Sequence, residues 1–133
     1  DVLQPDITQS GGILETKKIA STAESYSIMV APHNVGGIVS TMAALHLCLT
    51  LRNVKILEHF NDFADPHVKK AGSGYPEVVD GYFPVPDKPG WGIELDEEFI
   101  RSNPPELTNS KVMADPGLNM FVNSEWAQRG QKK

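Results

Sequence analysis

The sequence predicts an α/β chain built from successive βα units of a parallel sheet, and three observations lead to that class. Two segments repeat one plan: Val2-Leu3-Gln4-Pro5-Asp6 runs into Gly11-Gly12-Ile13, and Ser27 to Ala31 runs through Pro32-His33 into Gly36-Gly37-Ile38. In each, a short apolar strand passes through X-Pro and a polar residue to a Gly-Gly helix start; proline ends the strand and glycine lets the backbone turn. The stretches after the glycine pairs have helical character, and a third apolar run, Val54-Lys55-Ile56-Leu57, ends at Glu58. Strands alternating with helices imply a parallel sheet with both faces covered. Three strands leave such a sheet open, and a closed (β/α)8 barrel takes about 250 residues, so the pattern is expected to be part of a barrel. Asp1 opens at once on a strand without a methionine, which adds to the expectation of a longer parent.

The first helix, about Gly12 to Ser25, puts Ile13, Thr16, Ala20 and Ala23 on one face and Lys17, Lys18 and Glu24 elsewhere, so it covers a sheet with one side. The second, about Gly37 to Leu51, is apolar nearly all round and needs cover on both sides. No charged residue interrupts Val35 to Leu51, yet Gly36, Gly37, Ser40, Thr41 and His46 make it a poor membrane span. Residues 1–60 thus read as βα units. From 61 to 80 the chain is loop-like, with Gly72, Gly74 and Pro76; from 81 to 95 it is extended and turn-rich, with Pro84, Pro86, Pro89, Gly90 and Gly92. Leu95 to Arg101 suits one short helix, and 102–133, with Pro104, Pro105 and Pro116, reads as a tail.

Composition sets further bounds. The 133 residues are 40% hydrophobic and 22% charged, with net charge -5. Basic residues form no cluster larger than an adjacent pair, such as Lys69-Lys70 or Lys132-Lys133, which excludes the footprint of a nucleic-acid binder and leaves a small-molecule substrate as the expectation. Cys48 is the single cysteine, so there is no internal disulfide or cysteine zinc site, in keeping with a reducing, cytoplasmic setting and a buried structural thiol.

In parallel barrels the reacting groups sit at the carboxyl ends of the strands. Asp6, His33 and Glu58 fall at three consecutive strand ends. An ionised Asp6 accepting a hydrogen bond from one ring nitrogen of His33 would fix the tautomer and aim the other nitrogen for proton abstraction. Each residue also has a structural reading: Asp6 as a turn residue after proline, His33 as a loop or core histidine, Glu58 as a solvated strand end. Gly36-Gly37 reads as a tight turn rather than an anion cradle, His46 as a satisfied core histidine rather than a ligand, and Trp91 as packing onto a further domain rather than lining the active site.

Gln4-Pro5-Asp6, Gly11-Gly12-Ile13 with Lys18-Ile19-Ala20, and Ala31-Pro32-His33-Asn34 resemble the C-terminal barrel of the mandelate racemase group of the enolase superfamily. Asp6 and His33, 27 residues apart, match that group's dyad on the sixth and seventh strands, and Ile56-Leu57-Glu58 is similar to its eighth. Glu58 and the run Pro86-Asp87-Lys88-Pro89-Gly90-Trp91-Gly92-Ile93-Glu94-Leu95 look most like the sugar-acid dehydratases, over roughly residues 1–101. The resemblance implies abstraction of the proton α to a carboxylate, an enediolate stabilised by Mg²⁺, and loss of the β-hydroxyl; a His or Lys base with Mg²⁺ is a known pattern of this superfamily. His33 would be the base, Asp6 its orienter, and Glu58 a hydrogen-bond partner to the substrate carboxylate or the enediolate. The residues at 61–101 would return toward a capping domain. A racemase or epimerase using the same dyad is the near alternative, and a non-catalytic small α/β protein the distant one. The resemblance also implies a homo-oligomeric parent, with the capping domain, earlier strands and metal carboxylates upstream of Asp1. His33, His46, His59 and His67 show no short ligand spacing that could replace those carboxylates, so the chain alone is expected to be inactive.

Overall fold

The computed structural model describes residues 1–59 and 67–104. The chain divides into two units, Asp1–Arg101 and Ser102–Lys133, and the βα units lie in the first. The expected tail falls, beyond residue 104, outside the described residues.

Strand β1 (Val2–Leu3) pairs in parallel with β2 (Met29–Val30), in the register Val2 to Met29 and Leu3 to Val30. The connection is helix α1 (Gly12–Ser25), which packs against β2 and buries Thr16, Ala20 and Ala23. Ile13, expected on the same face, is 36% exposed. Gly11 and Gly12 enter the helix with φ of 91° and 89°, values that a side chain disfavours. The helix ends in a Schellman turn: Ile28 N–H donates to the Ala23 carbonyl at 2.9 Å and Ser27 N–H to that of Glu24 at 2.9 Å. Ser27 occupies the left-handed position at φ 57°, normally given to glycine. The turn delivers Ile28 onto the core of Ala20, Ala23 and Val30, joined by Leu51 and Val54.

The third strand joins this sheet only briefly. Val54 forms a parallel bridge with Val30, where Val30 N–H donates to Asn53 and Lys55 N–H to Val30, each at 2.8 Å. Buried Asn53 secures the entry, its amide donating to the carbonyls of Ala20 at 3.0 Å and Ile28 at 2.9 Å. The expected strand Val54 to Leu57 goes no further as regular structure. Pro32 has no N–H with which to continue the ladder.

Helix α2 (Ile38–Cys48) is shorter than the expected 37–51 and buries residues all round: Ile38, Thr41, Met42, Ala43, Ala44, Leu45 and Leu47. Its cover comes from α1 on one side and from the extended segment of the chain. There α3 (His67–Lys70) leads into β3 (Gly72–Ser73), which pairs antiparallel with β4 (Glu94–Leu95). This stretch reads as loop and extended chain in the sequence, because strands of two residues are too short to show a period. Gly72 makes the packing possible, since a Cβ there would lie 2.4 Å from the Glu94 carbonyl oxygen and 2.7 Å from Ile38 Cδ1. Trp91 lies with its ring 5.5 Å from that of His46 on α2, and its carbonyl 3.4 Å from His46 Nε2. The expected short helix is α4 (Glu97–Ser102), capped by Asp96 Oδ1, which accepts from Phe99 N–H at 2.8 Å. Burial pushes the Cys48 thiol up to about 11, so it is un-ionised near neutral pH. No described helix is long and apolar enough to cross a membrane.

Candidate active site

The β1–β2 register runs on past the strands themselves. Asp6 and His33 form a further parallel bridge at the same offset as Val2 and Met29. Since side chains alternate faces along a strand, a constant offset leaves the two on one face. His33 Nδ1 lies 2.7 Å from Asp6 Oδ2.

Asp6 has both oxygens engaged. Oδ1 accepts from the Thr8 N–H at 2.7 Å and the Thr8 hydroxyl at 2.6 Å, the turn geometry expected after Pro5. The Asp6 carbonyl also accepts from Gln9 and Ser10, bending the chain toward α1. The turn hydrogen bonds and the contact with His33 are therefore both made, one at each oxygen. Burial pushes the Asp6 carboxyl up, but the hydrogen bonds from the Thr8 hydroxyl, the His33 ring and the Thr8 amide, with the His33 charge, outweigh it and hold the carboxyl below its ordinary value. An ionised carboxylate only accepts, so Nδ1 of His33 carries a hydrogen, and in the neutral ring Nε2 is the nitrogen left with a lone pair.

The Asp6 side chain is 9% exposed and that of His33 36%, so the carboxylate is enclosed and the imidazole is partly open. Glu58, 34% exposed, brings Oε2 to 4.0 Å from His33 Nε2. That separation is too long for a hydrogen bond. All three residues expected from the sequence thus meet at one end of the sheet.

Three further residues serve the same site. Thr8 holds Asp6. Asn34 donates from its backbone N–H to Glu58 Oε2 at 3.4 Å and from its side chain to the Glu58 carbonyl at 3.2 Å. Thr41, in the first turn of α2, meets the Asn34 amide at 3.0 Å. The sequence carries a signal for Thr8, a hydroxyl two residues after Pro-Asp. Asn34 and Thr41 show no such pattern, because their partners are reached through the fold.

A hollow of about 510 Å³ adjoins Thr8, Gly36 and Gly37, with Ile7, Ile38 and Leu95 among its walls. Gly36 meets the demand of a tight turn, since a Cβ there would sit 1.9 Å from Ser40 Oγ. For Mg²⁺ the donors do not fit. Among the described residues no group of three or more His, Cys, Asp or Glu could hold a metal ion. At the dyad, Asp6 and Nδ1 are already paired, leaving Nε2 and a single carboxylate where Mg²⁺ takes an octahedron of oxygens.

Known proteins share this arrangement of strands and helices. A D-gluconate/D-galactonate dehydratase of Picrophilus torridus is 41% identical over 100 residues, covering 75% of this chain and 25% of that protein. A D-galactonate dehydratase of Xanthomonas axonopodis pv. citri is 35% identical over 116 residues, covering 81% of this chain and 30% of its own length. The chain therefore spans between a quarter and a third of these relatives. A mandelate racemase/muconate lactonizing enzyme from Jannaschia sp. CCS1 superposes with a TM-score of 0.72 at 32% identity, over 79% of this chain and 26% of that one. An enolase from Pantoea ananatis with bound d-gluconate and Mg gives 0.72 at 33% identity, over 80% and 26%. The family model described as enolase C-terminal domain-like matches residues 1–99, and the chain belongs to that family.

Proposed function

We propose that this chain is the proton-transfer part of a sugar-acid dehydratase, holding the sixth to eighth strand ends of a (β/α)8 barrel. The observation that carries the reading is the Asp6–His33 pair, 2.7 Å apart in continuous register with Nε2 open. The names of the relatives support an aldonate, such as d-galactonate or d-gluconate, as substrate.

In this reading His33 Nε2 takes the proton α to the substrate carboxylate, and the C–H electron pair passes into an enediolate. The imidazolium formed is stabilised by Asp6, which accepts from Nδ1 without itself taking the proton. The electron pair then forms a carbon–carbon double bond as the β C–O bond breaks, and hydroxide leaves with a proton from a general acid. Glu58 is the partner of the substrate carboxylate or enediolate, a hydrogen bond in which one of the two must carry the hydrogen. Because the donors among the described residues do not suit Mg²⁺, the metal would be held by carboxylates elsewhere in the parent protein. Residues 61–101 would return toward a capping domain, and the parent would be a homo-oligomer.

The test uses the full-length protein that contains this chain, incubated with d-galactonate and d-gluconate in D₂O. Formation of the deoxy keto acid, with exchange of the α-proton, is the expected result. Exchange without elimination would indicate a racemase or epimerase instead, and neither would end the reading.

A further inference from the structure

Glu58 reaches His33 through an irregularity in the ladder. Continued without a break from the Val30–Val54 bridge, parallel pairing would set Ile56 beside Pro32 and Glu58 beside Asn34. In that register Glu58 would share a face with Asn34 and oppose His33, since faces alternate at every residue. The bond actually made after Lys55 N–H to Val30 is Glu58 N–H to Pro32, at 3.3 Å, where a regular ladder would use the N–H of Leu57. The third strand has slipped by one residue at the proline that cannot donate. Such slips re-aim a side chain.

The slip turns the Glu58 carbonyl toward Asn34, which meets it with its side chain. Its buried amide donates to that carbonyl at 3.2 Å, while its backbone N–H faces Glu58 Oε2 at 3.4 Å. Asn34 is held in turn by Thr41, wholly buried in the first turn of α2: the Asn34 amide nitrogen donates to the Thr41 hydroxyl oxygen at 3.0 Å, and Asn34 Oδ1 lies 3.3 Å from the same oxygen. Glu58 is thereby tied to a rigid helix through one amide.

We propose that Asn34, locked by Thr41, is a positioning residue that holds the Glu58 carboxylate against the open nitrogen of His33. The inference rests on the proposed proton transfer for its kinetic consequence and on the slipped ladder for its structural one, so the two are separable. The variant is Thr41→Val in the full-length protein, which keeps the shape and removes the hydroxyl, with Thr41→Ser as the conservative rescue and Glu58→Gln as the reference for losing the carboxylate.

Expected for Thr41→Val is a fall in kcat on the order of 10- to 100-fold with KM little changed, as for a group misplaced by about 1 Å. A crystal structure of the variant should show Glu58 turned away from His33, and Thr41→Ser should restore both rate and position. A merely structural Thr41 would lower the melting temperature and leave kcat per folded molecule unchanged; that outcome, alongside a large loss in Glu58→Gln, overturns the inference, as does a Thr41→Val structure with Glu58 in place. If the unsubstituted protein exchanges no α-proton, the dehydratase reading fails, and the crystal position of Glu58 still decides the positioning role.

Discussion

Glu58 Oε2 stands 4.0 Å from His33 Nε2 although the pairing of their strands begins in a register that would set Glu58 beside Asn34. Asp6 reaches the other side of the same ring with no such slip. A single imidazole is thus flanked by two carboxylates of different standing: Asp6 is enclosed and fully engaged, while Glu58 is open and separated from Nε2 by a gap. That difference, with the packing that sustains it, sets how variants of the full-length protein should behave.

In the proposed reaction, replacing His33 with Asn removes the base. Exchange of the substrate α-proton, followed by NMR in D₂O, should fall by about 100- to 10,000-fold. Exchange at the unsubstituted rate would remove His33 from this role.

Asp6→Asn should be nearly as damaging for a different reason. With its carbonyl oxygen kept on Thr8, the amide would turn N–H₂ toward His33 Nδ1, which could then only accept, moving the ring hydrogen to Nε2. A base holding the wrong tautomer costs about 10,000-fold in kcat in the comparable serine-protease case. Retention of more than a tenth of kcat would show that Asp6 acts as a turn residue alone.

The lowered carboxyl of Asp6 also bears on stability. Its folded value lies below its unfolded one, so its contribution is present above the ordinary carboxylate range and is lost as pH falls through the folded value. Thr8→Val removes one of the bonds that hold it down. The stability gap between Thr8→Val and the unsubstituted protein should therefore be larger at about pH 7 than at about pH 3, measured by urea unfolding at each; a gap independent of pH would contradict this.

Ser27 closes α1 in a left-handed conformation at φ 57°. Glycine meets no Cβ penalty there, and its greater unfolded-state entropy offsets part of the gain, so Ser27→Gly should stabilise by about 0.5–1 kcal/mol. Valine at the same position should destabilise. Denaturant midpoints of the two variants test the pair.

Gly72→Ala places a methyl group against the Glu94 carbonyl and Ile38. The backbone cannot yield cheaply, so a loss of about 1–3 kcal/mol is expected. Hydrogen exchange at 71–96 should quicken if the loss is local undocking from α2.

Much of this arrangement was legible in the amino-acid sequence. The two X-Pro to Gly-Gly units announce strand, turn and helix through local chemistry, and α1 is observed over the span read for it, Gly12–Ser25. Because both units follow one plan, Asp6 and His33 keep the same offset as the strands before them, and their meeting on one face is already implied. The docking of Trp91 and Gly72 on α2 was not legible, since it depends on contacts between residues far apart in the chain and on strands too short to show a period.

The sequence by itself determined the βα grammar, the dyad and the apolar helix that needed covering. Only the tertiary structure decided which way Glu58 points. With a side-chain period of two, a slip of one residue reverses every face beyond it; the slip falls at Pro32, which has no N–H, and beside the Asn34–Thr41 contact, whose partners only the packing of α2 brings together.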